Sequence, residues 1–211
     1  MAFRLYLITD RTRTAGRPLL EVIEQALHGG VDAVQVREKN LPASELVDLA
    51  QRVRVLCRRY GARLLINDRV DVALAVGAHG VHLPVDSFAP GEARQLLGPD
   101  VLIGASTHNL AEARAAAASG ADFIVFGPVF DTPSKRGFGP PVGLEALAAV
   151  SRACTVPVLA VGGVTADRIA GVRRCCVQGI AVIGAILEAR DPRAAAHELR
   201  AALEPPDTVL P

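Results

Sequence analysis

Ala33-Val34-Gln35-Val36-Arg37-Glu38-Lys39 and Arg63-Leu64-Leu65-Ile66-Asn67-Asp68 share one design: an apolar run of strand length that ends in polar and charged side chains. The runs read as strands buried on both faces, as in parallel sheets. Their polar ends do not build a core. In a closed barrel of alternating strands and helices, the carboxyl ends of the strands carry the active site. Gln35, Arg37, Lys39, Asn67 and Asp68 would then share one rim. That mix of amides, cations and a carboxylate suits an anionic substrate with a divalent metal.

The same unit recurs along the chain. Strands are predicted over 4–9, 33–37, 63–67, 80–83, 101–105, 123–127, 156–161 and 179–183. Between them lie helical segments: Leu19, Val22, Ile23, Ala26 and Leu27 form one apolar stripe, and Leu46, Leu49, Ala50 and Val53 another. Strand–helix alternation of this kind means a parallel sheet with crossover helices. Eight units in 211 residues favour a single (β/α)8 TIM barrel over residues 1–204, with 205–211 as a frayed tail. A doubly wound open sheet is the competing architecture, but no G-x-G-x-x-G turn follows the first strand. Three small-residue turns lead into strands: Gly29-Gly30-Val31-Asp32, Gly77-Ala78-His79 and Gly120-Ala121-Asp122. Glycine there suits the end of the preceding helix.

Composition narrows the function. Half of the residues are hydrophobic but only 4% are aromatic, so the core is expected to be aliphatic. A net charge of +1 without a basic run gives no nucleic-acid footprint. No apolar stretch nears the roughly 20 residues of a membrane span, and the start shows no signal-peptide pattern. Cys57, Cys154, Cys175 and Cys176 lack C-x-x-C spacing and read as thiols in a reducing cytoplasm.

Other strand ends add to the rim. The fifth strand gives Ser106, Thr107 and His108; the loop after the sixth gives Thr132, Ser134 and Lys135. Gly162-Gly163 after the seventh and Gly184 after the eighth suit a phosphate held by backbone N–H groups, with Thr165-Ala166-Asp167 opening a helix beside it. Arg37, Lys39 and Lys135 would surround a second, more heavily charged anion, and Asp68 fits a Mg²⁺ ligand. Plainer readings stand beside these: a solvated charge cluster for 37–39, a helix N-cap pair for Asn67-Asp68, a tight turn for Gly162-Gly163. His108 is a rim contact or a proton carrier. A metal pair of His79 and His82 lacks a third ligand.

Along nearly its whole length the chain resembles thiamine-phosphate synthase and its relative, the thiazole tautomerase of thiamine biosynthesis. The resemblance is carried by residues 5–10, 34–39, 64–70, 80–83, 103–108, 120–135, 158–164 and 179–186. It implies a (β/α)8 barrel that joins hydroxymethylpyrimidine diphosphate to a thiazole phosphate or its carboxylated form, with Mg²⁺. By position it implies diphosphate and pyrimidine contacts from Gln35, Arg37, Lys39, Asn67, Ser106 and Lys135. Among these, Lys135, Arg37 and Ser106 act on the leaving group. It places Thr132, Ser134, Gly163, Ile183 and Gly184 at the thiazole phosphate. Asp68 is implied as a metal ligand.

Two departures stand out. Where the synthase has Gly-Gln-Glu-Asp, whose last residue is the second metal ligand, this chain has Pro84-Val85-Asp86-Ser87. Asp86, one residue early, is the expected substitute by a small loop shift, with an extra water on the metal as the alternative. Cys175-Cys176 stands where small residues are usual. The Ser87-Phe88 pair leans toward the tautomerase. Pro128 leans toward the synthase, because the tautomerase carries a proton-transferring His there. The competing readings are the tautomerase, a non-catalytic thiazole-phosphate binder and an unrelated phosphate-binding isomerase, which would need an acid/base pair. The expected partners are small phosphorylated substrates, with a homodimer left open.

Overall fold

The computed structural model describes residues 3–132 and 140–204. Eight parallel strands close on themselves in sequence order: β1 (Leu5–Ile8), β2 (Ala33–Val36), β3 (Arg63–Asn67), β4 (Gly80–Leu83), β5 (Leu102–Thr107), β6 (Phe123–Phe126), β7 (Val158–Val161) and β8 (Gly179–Val182), with β8 paired back to β1. The helices are α1 (Leu19–His28), α2 (Ala43–Arg59), α3 (Val70–Val76), α4 (Pro90–Leu97), α5 (Leu110–Ala118), α6 (Gly143–Ala153), α7 (Ile169–Arg173), α8 (Gly184–Leu187) and α9 (Pro192–Leu203). This is the expected (β/α)8 barrel.

Alternation along each strand makes two cores. Leu5, Leu7, Val34, Val36, Leu64, Ile66 and Val81 face outward and pack with the buried stripes Val22–Ile23–Ala26–Leu27 of α1 and Leu46–Ala50–Val53–Cys57 of α2. Leu49 lies at the edge of its stripe, and Cys57 carries the burial one turn further. Tyr6, Ala33, Leu65, Phe123, Val125, Leu159 and Ala181 face inward.

The inner core is more aromatic than composition implied. Phe3, Tyr6 and Phe123 meet in the barrel, with ring centroids 5.2–6.0 Å apart, and His82 joins them at 5.9 Å from Phe123. A few large rings fill a narrow barrel that many small side chains would leave partly empty. Gly104 makes room for the Phe123 ring, which a Cβ at that position would overlap. Gly104→Ala should therefore destabilise the fold by about 1–3 kcal/mol. Thermal unfolding checks this, and Phe123→Leu in the same chain should restore part of the loss.

The three small-residue turns have a common second task. Asp32 accepts the Leu5 N–H at 2.9 Å, Asp122 accepts that of Ile103 at 2.7 Å, and His79 Nδ1 accepts that of Leu64 at 2.9 Å. In each case the residue just before one strand ties down the first or second amide of the preceding strand. His79 belongs to this outer seam at the amino end of the barrel, and burial lowers its pKa. It forms no metal pair with His82, whose ring joins the interior. All four cysteines are free, and Cys176, at φ +58, closes the turn after α7.

Candidate active site

The first corner of the rim joins β1 to β2. Glu38, read as part of a charge cluster, is only 7% exposed. Its carboxylate accepts the Thr9 hydroxyl at 2.7 Å and the Arg11 N–H at 3.1 Å, and it faces the Arg11 guanidinium at 3.6 Å. Thr9 Oγ1 in turn accepts the Arg37 N–H at 2.9 Å. Glu38 thus braces the backbone from which Arg37 and Lys39 project. Among the described residues, neither the Arg37 guanidinium nor the Lys39 ammonium has a hydrogen bond or ion pair, whereas Arg11 and Arg13 are paired. Two unneutralised cations on a braced loop have the chemistry to attract an anion.

Inside this corner, Gln35 is buried, 1% exposed, and donates from Nε2 to the Tyr6 hydroxyl at 2.9 Å. Across the barrel mouth, His82 Nε2 and Ser106 Oγ share a hydrogen bond of 2.8 Å. His82 Nδ1 is buried and has no partner among the described residues. Burial, and then the Arg37 charge, push the His82 pKa from 6.5 down to about 3. The ring is neutral in the folded protein. Between roughly pH 6.5 and pH 3 the unfolded chain binds a proton that the folded chain refuses, so stability falls as pH falls through that window. The urea midpoint should fall less between pH 7 and pH 4.5 in His82→Gln than in the parent. Identical slopes would contradict a buried neutral His82.

His108 is held at the rim: its Nδ1 donates to the Gly127 carbonyl, and its backbone N–H donates to the Glu112 carboxylate. Ser106 is an inward position on β5, which runs two residues beyond its expected end because Ser106 and Thr107 pair with Val125 and Phe126 of β6.

Asn67 closes β3 beside His82 of β4. Asp68 follows in a left-handed conformation, φ +66, fixed by its N–H donating to the His82 carbonyl at 2.9 Å. Asn and Asp tolerate that region better than other residues with a Cβ. The Asp68 carboxylate accepts the Ser87 hydroxyl. Asp86, the expected second metal ligand, is exposed and has no bond to Asp68; Ser87 occupies that place. Among the described residues, no three His, Cys, Asp or Glu side chains gather as a metal cage. The donors present are still hard oxygens. One carboxylate with a neighbouring hydroxyl fits Mg²⁺ that draws its remaining ligands from phosphate oxygens and water.

The opposite side of the rim is built by β6, β7 and β8. The Gly127–Pro128 bond is cis, and Pro128 lies against Gly162, where a Cβ would be 2.5 Å from Pro128 Cβ. Gly162 and Gly163 have φ of +95 and +63, and a Cβ at Gly163 would press on the Asp131 carbonyl at 2.7 Å. Only glycine fits both the backbone angle and the space. The Gly163 carbonyl accepts Arg168 Nη1 at 2.7 Å, and that guanidinium stacks on Phe130 at 4.9 Å. The following helix, α7, begins three residues later than expected, after a 3₁₀ turn at Ala166–Arg168. Ile183 caps the four-residue α8, which Gly184 opens. A side chain at 184 would meet Arg13 Nη2 at 2.6 Å, so the Arg13–Glu188 pair sits against that glycine. Thr132 lies at the edge of the described loop, and Ser134 and Lys135 lie outside the described residues.

Fold and rim together define a closed parallel barrel with its unpaired cations and exposed backbone at the carboxyl ends of the strands. Comparison with known proteins narrows this class. The chain belongs to the thiamine monophosphate synthase family, whose model matches residues 5–186. It is 52% identical over 203 residues to a putative thiamine-phosphate synthase of Geobacter sulfurreducens, covering 96% of this chain and 95% of that one. It is 43% identical to the thiamine-phosphate synthase of Moorella thermoacetica over 93% of both chains. The solved thiamine phosphate pyrophosphorylase of Pyrococcus furiosus superposes with a TM-score of 0.87 at 39% identity, over 95% of each chain.

Proposed function

We propose that the protein joins hydroxymethylpyrimidine diphosphate to a thiazole phosphate, giving thiamine phosphate and pyrophosphate, and that it works in the cytoplasm. The family and its synthase relatives support a transferase of thiamine biosynthesis. One observation carries the reading down to the site: Arg37 and Lys39 stand unneutralised on a loop that the buried Glu38 braces.

The chemistry then follows. The bond between the pyrimidine methylene carbon and the diphosphate oxygen breaks, and its electron pair leaves with pyrophosphate. The thiazole nitrogen donates its lone pair to the resulting cation, forming the new C–N bond. Neither step moves a proton when the thiazole carries no carboxylate. That suits a rim where His82 is held neutral and Glu38 is fully engaged. Arg37, Lys39, Asn67, Ser106 and Lys135 stabilise the departing anion. Gln35, anchored on Tyr6, orients the pyrimidine. Gly163, Ile183, Gly184, Thr132 and Ser134 hold the thiazole phosphate, so that the two substrates meet in line. Asp68, beside Ser87, would hold a Mg²⁺ ion, which would supply charge neutralisation on the leaving group.

Pro128 contributes no proton carrier where a tautomerase would need one. Pyrophosphate release measured with each substrate alone and with both tests the reading. Release that requires both supports it. Isomerisation of the thiazole phosphate without any release would point to the tautomerase instead.

A further inference from the structure

The groups assigned to the thiazole phosphate, Gly163, Ile183, Gly184, Thr132 and Ser134, are all neutral, so they supply the phosphate no countercharge. Guanidinium groups stand beside both glycines. Arg168, at Gly163, is engaged: Nη1 donates to the Gly163 carbonyl at 2.7 Å, and the group covers the Phe130 ring. Arg13, at Gly184, is only half engaged. Its Nε donates to Glu188 Oε1 at 2.6 Å, and among the described residues neither terminal amino group forms a hydrogen bond. Nη2 lies 2.6 Å from where a Cβ on Gly184 would stand. The amide nitrogen and the missing Cβ share one Cα, so this guanidinium is beside whatever the Gly184 N–H holds.

Two observations make this placement more than a surface ion pair. Gly184 is not one of the left-handed glycines, so its backbone does not demand glycine; what the missing side chain makes room for is Arg13 and Glu188. The Arg13–Glu188 pair is also not what fastens the loop. Arg17 donates to the Thr14, Leu187 and Arg190 carbonyls at 2.9, 2.8 and 3.2 Å, and this ties the β1–α1 loop to the end of α8. The Glu188 side chain is 51% exposed, and such pairs add little stability. We propose that Arg13 is the cation of the thiazole-phosphate site. Its open amino groups take phosphate oxygens at Gly184, in the forked geometry that suits guanidinium, while Glu188 aims the fork from the Nε side. This rests on the thiazole-phosphate reading of that side of the rim.

Steady-state kinetics of the full chain, varying each substrate with the other saturating, test it. Arg13→Ala should raise KM for the thiazole phosphate about tenfold or more and leave that for the pyrimidine diphosphate unchanged. Gly184→Ala should raise the same KM by pushing the guanidinium aside, and the two losses should not add: after Arg13→Ala, it should cost about twofold at most. Glu188→Gln removes a competing carboxylate and keeps the cation, so it should lower that KM. A mere tie between loops would be harmed as much by Glu188→Gln as by Arg13→Ala, and equal harm overturns the inference. So does a Gly184→Ala loss of the same size with and without Arg13. Circular dichroism of each variant guards against loss of fold. Titration calorimetry with the thiazole phosphate separates the two levels of the account. Binding by the parent that Arg13→Ala leaves intact overturns this inference alone. A folded parent that neither binds the thiazole phosphate nor makes thiamine phosphate overturns the reading beneath it, and the inference with it.

Discussion

Asp68→Asn should lower turnover by about a hundredfold or more at saturating substrates, with the fold unchanged. The substitution is clean for three reasons. Asn tolerates the left-handed backbone that Asp68 adopts. The N–H bond to His82 belongs to the backbone and survives. Among the described residues the side chain's hydrogen-bond partner is the Ser87 hydroxyl, whose proton an amide oxygen can also accept. What disappears is the negative charge, and with it the hold on a metal bound to the leaving group. Steady-state rates across a Mg²⁺ titration check this. Turnover that is unaltered and independent of metal would contradict the role given to Asp68.

Arg37→Met should cut kcat/KM by about a hundredfold as well, through loss of charge stabilisation where pyrophosphate develops its negative charge. Methionine keeps much of the length and the packing of the arginine stem. The backbone at 37 remains fixed by Thr9 and Glu38, so the loop should hold its place. A second readout sets this apart from a packing defect. The Arg37 charge is one cause of the depressed His82 pKa, behind burial. Removing it should raise the His82 titration, which NMR of the imidazole protons can follow. Loss of activity without that movement would place Arg37 elsewhere than beside His82.

Much of the barrel was legible because strand and helix leave different periodicities. The bounds of β3 and β4 coincide with those expected from the sequence. At β5 the polar pair Ser106-Thr107 looked like an ending, yet both residues continue the ladder to β6. At β7 the ladder begins at Val158, after Pro157, which has no N–H to give. The aromatic interior escaped notice because Phe3 and Tyr6, His82 and Phe123 converge from three segments with no local signal.

The rim was legible as a set of residue types at strand ends. Its supporting bonds were not. Glu38 sits between two cations in sequence and reads as solvated, but Thr9 and Arg11 across the neighbouring loop draw it into the fold. The polar His82 within an apolar strand was the available hint of an inward site position, and its register beside Asn67 and Gly104 gives it meaning only in the closed barrel. The Ser87–Asp68 bond joins two successive loops and left no mark in the sequence, whereas the expectation for Asp86 rested on the resemblance alone.

The most direct test of the account is product formation. Purified protein is mixed with hydroxymethylpyrimidine diphosphate and thiazole phosphate, with and without Mg²⁺, and thiamine phosphate is followed by mass spectrometry. The account predicts thiamine phosphate only when both substrates and Mg²⁺ are present, in step with pyrophosphate release. Both substrates left intact by folded protein at saturating Mg²⁺ would contradict it.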